Sequence, residues 1–257
     1  GRANGHSGSA LLDGAPLDEL VKPTRFQNRW LVPSKPDLAG AAVELARKED
    51  GETFLAESLG QATDGYSFVF LDCPPSLGPL TVKRCSAVAE QVDGKIYLIG
   101  GHEPLENGKG TRVTGRNQMY DPASNTWTER SPMPTTRNHA MAGAVNGKIY
   151  VMGGRLGAGN IPVTTNVDTV EEYDPATNLW GAVKERMPQV RSGGGWATCN
   201  GKIYVGGGEW ITREFYAALR ALDAYDPATN TWETLTPLPG AVHGNAMGCI
   251  GNKLHTV

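Results

Sequence analysis

Self-similarity constrains this chain more than any other feature. Residues 95–101 read KIYLIGG, residues 148–154 read KIYVMGG and residues 202–208 read KIYVGGG, so Tyr97, Tyr150 and Tyr204 lie 53 and 54 residues apart. A second phrase follows each: YDPASNTW at 120–127, YDPATNLW at 173–180 and YDPATNTW at 225–232, with tryptophans stepping by 53 and 52. Arg84, Arg137 and Arg191 open the units, and Met133-Pro134, Met187-Pro188 and Leu238-Pro239 close them. A fourth unit begins at Ala241, where Lys253, Leu254 and His255 fall in register with Lys202, Ile203 and Tyr204. A unit this small cannot bury its apolar face alone, so neighbouring units must stack.

Within a unit the pattern is that of an antiparallel sheet. HAMAGAV (139–145) is a strand of small residues, and Asn146-Gly147 is a strong hairpin signal because both turn positions need φ > 0. KIYVMGG is the β-branched and aromatic partner, and its glycine pair lets the chain turn where a Cβ would clash. TVEEYDP and the stretch after Trp180 supply two more strands. Asp-Pro-Ala-Thr-Asn joins them, a turn in which proline sets φ and the aspartate caps its own backbone. Glycine usage, 33 of 257 residues, fits a chain with many tight turns.

A glycine pair after an apolar strand, then Tyr-Asp-Pro, then Trp seven residues after the Tyr, at a period near 50, resembles the kelch repeat of β-propellers. The resemblance covers residues 83–257 as blades at about 84–134, 137–188 and 191–239 and a partial blade at 241–257. It implies four-stranded antiparallel blades around an axis, here an incomplete propeller whose open edges are available for self-association.

Residues 1–82 contain no such unit and carry 7 basic and 11 acidic side chains. Leu38, Ala41, Ala42 and Leu45 share one helical face behind Asp37, a candidate N-cap, and Thr53 to Leu59 continue as a second helix. Tyr66 to Leu71 is an apolar run ending in Asp72, the pattern of a buried parallel strand, and Trp30-Leu31-Val32 is another. The expected class is therefore mixed, with a partial α/β segment before the propeller.

The phrases LVPSKPDLAGAAVEL (31–45) and FVFLDCPPSLGPLTV (68–82) are similar to ParA/MinD/Soj partitioning ATPases. In that family the aspartate of Asp-Cys-Pro-Pro-Ser, here Asp72, helps hold the magnesium of bound ATP. No GxxxxGK[ST] phosphate loop occurs in the 257 residues, and Asn107-Gly108-Lys109-Gly110-Thr111 has the glycine and lysine without the motif. The chain thus joins the middle of one domain to the later part of another, as a chimeric or truncated reading frame would.

Composition narrows the function classes. Lys plus Arg number 24 against 27 Asp plus Glu, leaving no basic excess to neutralise a nucleic-acid backbone. No apolar run approaches the roughly 18 residues needed to span a bilayer, and the start lacks the apolar stretch of a signal peptide, so a cytoplasmic location is expected. Cys73, Cys85, Cys199 and Cys249 form no Cys-x-x-Cys pair and read as free, mostly buried thiols. His139 and His243 begin equivalent strands, but they lack a third ligand for a metal.

The recurring Tyr and Trp residues read as blade packing. Arg84, Arg137 and Arg191 have two readings: repeat architecture, or recognition from the channel mouth. The idiosyncratic segments after each glycine pair are loops at 102–117, 155–168 and 209–220, and repeats vary mainly in their loops. Glu209-Trp210-Ile211-Thr212-Arg213-Glu214-Phe215-Tyr216 combines aromatics with arginine, the composition of interface hot spots. The candidate binding set is Arg84, Arg137, His139, Arg155, Arg191, Glu209, Trp210 and Arg213. The expected function is non-enzymatic, binding a protein or a small polar ligand without a cofactor. A partitioning ATPase and a carbohydrate-active enzyme on a kelch scaffold are the alternatives.

Overall fold

The computed structural model describes residues 16–33, 59–60, 66, 69, 83–105, 109–157, 165–212 and 214–257. The chain divides into two compact units, residues 1–74 and 75–257.

In the first unit, helix α1 (Leu17–Leu20) precedes strands β1 (Lys22–Pro23) and β2 (Trp30–Leu31), which pair antiparallel. The expected strand at Trp30 therefore exists, but as the edge of an exposed hairpin. A second correction concerns the run 66–71: its described residues, Tyr66 and Val69, are exposed and outside any strand. A parallel strand needs neighbours and helices on both faces, and every strand pair among the described residues is antiparallel. The helix expected at 37–47 lies outside the described residues, and of 53–59 only Leu59 is described, as helical.

In the second unit the expected blades form. The first contains β3 (Val88–Val92) and β4 (Lys95–Ile99), then a small ribbon of β5 (His102–Pro104) and β6 (Thr111–Val113), then β7 (Asn117–Asp121) and β8 (Thr126–Arg130). Its sheet order is β3-β4-β7-β8, all antiparallel. The second repeats this with β9 (Met141–Val145), β10 (Lys148–Met152), ribbon β11 (Arg155–Leu156) and β12 (Thr165–Asn166), β13 (Val170–Asp174) and β14 (Leu179–Trp180). The third has β15 (Gly195–Cys199), β16 (Lys202–Gly206), ribbon β17 (Glu209–Ile211) and β18 (Tyr216–Ala218), β19 (Leu222–Asp226) and β20 (Thr231–Thr234). β21 (Met247–Ile250) and β22 (Lys253–Thr256) form a two-stranded fourth sheet.

Turn chemistry explains the repetition. Asn146 and Gly147 have φ of 51° and 75°, and Asn200 and Gly201 have 51° and 75°, so each hairpin uses residues that tolerate the left-handed region. Asp121, Asp174 and Asp226 accept from the backbone N–H two residues on, at 2.9–3.0 Å, which closes the Asp-Pro turns as expected. The outer strand of the second blade is a correction: it is Leu179–Trp180 itself, not the stretch after it. There Gly181 N–H still bonds Glu172, and Lys184 N–H bonds Val170 only after a detour, so regular pairing stops.

The core lies between blades. Val88, Tyr97 and Ile99 of the first pack on Ala142, Ile149, Val151 and Tyr173 of the second. Met141, Tyr150 and Met152 of the second pack on Ile203, Val205 and Tyr225 of the third. At about 1.5–3 kcal/mol per large apolar side chain, this stacking is the main stabilising term. Gly143 permits it, because a Cβ there would sit 2.7 Å from Ile203.

Cys199 and Cys249 are joined in a disulfide with Cα atoms 5.7 Å apart, which corrects the free-thiol expectation. β15 lies beside β21 in the stack, so cysteines 50 residues apart meet. Cys85 is free and partly exposed, and Cys73 lies outside the described residues. No described helix is long and apolar enough to cross a membrane.

Candidate binding site at the blade axis

Ahead of each first strand the chain crosses the axis of the stack in one conformation. Ser86, His139, Gly193 and Gly244 all have positive φ, 49–63°. His139 N–H donates to Ser86 O (3.0 Å), Gly193 N–H to His139 O (2.8 Å) and Gly244 N–H to Gly193 O (2.7 Å), a backbone chain running from blade to blade. This register corrects the histidine pairing: His139 is equivalent to Gly193 and Gly244, and His243 sits one position earlier. Farther along the axis the Trp196 indole donates to Glu90 Oε1 at 2.8 Å, tying the third blade to the first. Burial raises the Glu90 carboxyl above the usual range, and the Trp196 hydrogen bond counters part of that rise.

Arg84, Arg137 and Arg191 are withdrawn from solvent, at 2%, 0% and 0% exposure. Arg137 donates to Glu171 Oε2 (2.7 Å) and Val151 O (2.9 Å), and Arg191 to Asp223 Oδ2 (2.6 Å) and Val205 O (3.2 Å). Arg84 meets a neutral partner, Gln118 Oε1 at 2.7 Å, with carbonyls of Leu98, Gly100 and Arg116. Burial lowers all three guanidinium pKa values, that of Arg84 to about 10. Of the two readings, architecture is what the geometry supports: each arginine ties strands of its own blade, and burial removes it from reach of a partner.

Around the axis crossing lies a second polar network. Arg155 and Glu209, equivalent residues on adjacent ribbons, form a buried ion pair. Arg155 also reaches His139 Nε2 (3.1 Å) and Asn138 Oδ1 (3.3 Å), while Ser86 Oγ lies 3.2 Å from His139 Nε2. Burial, then the charge of Arg155 and neighbouring His102, push His139 down to about 4, so its ring is neutral at pH 7 and can both donate and accept. His102 is lowered by burial and Arg155, and its Nε2 lies 2.8 Å from Cys85 Sγ. Asn166 Nδ2 donates to Glu209 O and its Oδ1 accepts from Ile211 N–H, so one amide docks β17 to the second blade's ribbon. Outward from Glu209, His243 Nδ1 lies 3.5 Å from its carboxylate and His243 Nε2 lies 2.8 Å from the Tyr216 hydroxyl. Among the described residues no group of three or more His, Cys, Asp or Glu could hold a metal.

Residues 72–257, well over half the chain, match the family model described as the KLHDC2/KLHL20/DRC7 Kelch-repeats domain. The chain belongs to the kelch-repeat family. Residues 7–92 match a model described as an AAA domain. Kelch-like protein terF of Aspergillus terreus is 34% identical over 164 residues, 62% of this chain and 34% of that protein. Chromosome partitioning protein ParA of Myxococcus xanthus is 41% identical over 78 residues, 30% of this chain and 28% of that protein. The chain thus spans about a third of the length of these curated relatives. The solved structure of YjhT matches with a TM-score of 0.59 at 20% identity, over 71% of this chain and 61% of that one, a likeness of fold.

On the kelch blades the expected binding residues divide. Trp210 is exposed, beside Phe215 and Tyr216, at 39%, 50% and 56%. Glu209 and Arg155 are buried instead, because each neutralises the other, so they shape the surface from below. His139 is half-buried at the axis. Arg213 and Asp72 lie outside the described residues. The variable segments are not plain loops: each carries two paired ribbon strands, which fixes Trp210 of β17 and Tyr216 of β18 in place.

The asparagine of the YDPxxNxW phrase has a role that its place in the turn does not announce. Asn178 Oδ1 accepts Ser131 N–H (2.9 Å) while the Trp180 indole donates to Ser131 O (2.8 Å), and Asn230 and Trp232 hold Glu185 in the same way (2.9 and 3.0 Å). The signal was its recurrence at a position where asparagine, with φ of 50–59°, tolerates a left-handed turn.

Proposed function

We propose that the kelch blades form a non-enzymatic interaction module that binds a protein through the ribbon and axis end of the stack. The observation that carries this reading is the trio Trp210, Phe215 and Tyr216, exposed on a two-stranded ribbon whose base is locked by the buried Arg155–Glu209 pair. Rigid aromatics over a charge-neutralised base give large contact area at small ordering cost, which is how interface hot spots work. Trp210 and Phe215 stack edge-to-face at 5.7 Å, so the patch exists before a partner arrives.

A small polar ligand is the second reading. It is favoured by the neutral His139 beside Ser86, with bare Gly193 and Gly244 at the equivalent positions leaving room at the axis. The partitioning-ATPase reading lacks a phosphate cradle anywhere in the 257 residues.

Peptide-display selection against the 257-residue chain tests the proposal. Selected ligands should lose at least about tenfold in affinity on Trp210→Ala or Phe215→Ala, each truncation costing more than about 1.4 kcal/mol. Leu179→Ala, on the exposed second-blade outer strand, should leave them unchanged. Ligands indifferent to both ribbon substitutions would overturn the reading.

A further inference from the structure

One joint of the stack departs from the repeat. Ser86, His139, Gly193 and Gly244 occupy equivalent positions with φ of 49–63°, a region that strains any side chain and costs glycine nothing. The crossing as the third and fourth units make it, with Gly193 and Gly244, needs no side chain there. The first two units nevertheless carry a hydroxyl and an imidazole, and these meet: Ser86 Oγ lies 3.2 Å from His139 Nε2.

Asn138 decides which ring nitrogen carries the proton. Its Nδ2 donates to Gly157 O at 2.8 Å, so its Oδ1 is the atom facing His139 Nδ1. An amide oxygen only accepts, so Nδ1 bears the hydrogen and Nε2 is the bare acceptor toward which the Ser86 hydroxyl donates. Arg155 Nε–H donates to the same Asn138 Oδ1 at 3.3 Å and holds the amide in this orientation. Arg155 Nη2 lies 3.1 Å from His139 Nε2, which sets a guanidinium, anchored by Glu209, beside the serine oxygen. Nucleophile, base and orienting group thus stand in the order that activates a hydroxyl. At the next joint Ser192 and Gly193 occupy the places of Asn138 and His139, so the set is assembled between the first and second blades.

We propose that Ser86 is an acyl-acceptor nucleophile toward activated carboxylic esters, with His139 as its general base and Asn138 as the positioning residue. The site makes no use of Trp210, Phe215 or Tyr216, so it stands apart from the partner-binding reading. Ser86 Oγ bonds to the acyl carbon while its proton passes to His139 Nε2, and the carbonyl electron pair moves onto oxygen beside Arg155. When the tetrahedral species collapses, the bond from the acyl carbon to the leaving oxygen breaks. His139 gives its proton to that oxygen, so the products are a Ser86 ester and a free alcohol. The transfer leaves Ser86 esterified, a modification of the chain rather than a turnover.

The test exposes the 257-residue chain to diisopropyl fluorophosphate and, separately, to p-nitrophenyl acetate. Mass spectrometry should map the phosphoryl adduct to Ser86, formed at least about 100-fold faster than on the urea-unfolded chain, the lower end of what a positioned base supplies. The acetate should give a burst of about one p-nitrophenolate per chain. Ser86→Gly suits the left-handed φ and should abolish both. His139→Gly, the residue that the third and fourth units use, should slow adduct formation at least about 100-fold. Asn138→Asp keeps an oxygen for Nδ1–H and should retain the adduct, whereas Asn138→Leu should slow it by about tenfold or more. Cys85→Ala should react as the wild type does. No adduct, an adduct at another residue, a rate equal to that of the unfolded chain, an unchanged His139→Gly, equal rates for the two Asn138 variants or loss of the adduct in Cys85→Ala would each overturn the proposal.

Discussion

Replacing Glu171 separates the charge of a buried ion pair from its hydrogen bonds. Glu171 accepts from Arg137 Nη1 at 2.7 Å and from the Thr135 hydroxyl and backbone N–H at 2.8 and 3.2 Å, and Arg137 is fully buried. Glu171→Leu leaves a buried guanidinium without its counter-ion and two further donors unpaired, a loss of about 3–5 kcal/mol. Glu171→Gln keeps an oxygen for Arg137, and the Thr135 hydroxyl can turn to accept from the new amide, so one N–H bond and the charge assistance are lost, about 1–2 kcal/mol. The first blade already uses the neutral solution, since Arg84 bonds Gln118 there. At about 2–4 °C per kcal/mol for a unit of this size, the melting temperature should fall by about 2–8 °C for Gln and about 6–20 °C for Leu. Differential scanning calorimetry checks both. Equal losses for the two variants, or a neutral Leu variant, would refute the claim that the buried charge needs an acceptor more than it needs an anion.

Three further outcomes follow from the same geometry. Because His139 is held neutral, protonation favours the unfolded chain, so stability should decline as pH falls from about 6.5 to about 4. The His139→Asn variant, which keeps the left-handed φ, should lose about 1–3 kcal/mol less over that range in urea titrations at pH 7.5 and 4.5. Cys249→Ala, or reduction of the wild type, should cost about 2–4 kcal/mol and release the β21–β22 hairpin first, seen as faster amide exchange at 247–256. Magnesium-dependent ATP hydrolysis should be absent, and micromolar binding of a labelled ATP analogue, lost on Asp72→Ala, would restore the ATPase reading.

Whatever one repeat decides locally was legible in the sequence. The hairpins at Asn146-Gly147 and Asn200-Gly201, the Asp-Pro turns and the alternation of small and β-branched strands depend on the φ preferences of neighbouring residues, and the 53-residue period then implies stacking. Tertiary structure decided everything that one repeat supplies to another. Arg155 and Glu209 are 54 residues apart, and Trp196 and Glu90 are 106 apart, so no local pattern shows that they meet. Two such events reversed sequence expectations: Cys199 found Cys249 because their strands stack, and Glu209 left the surface because Arg155 on the adjacent ribbon could neutralise it. Burial of a charge or thiol is settled by the partner that stacking delivers, and stacking is a property of adjacent blades rather than of any residue's neighbours in the chain.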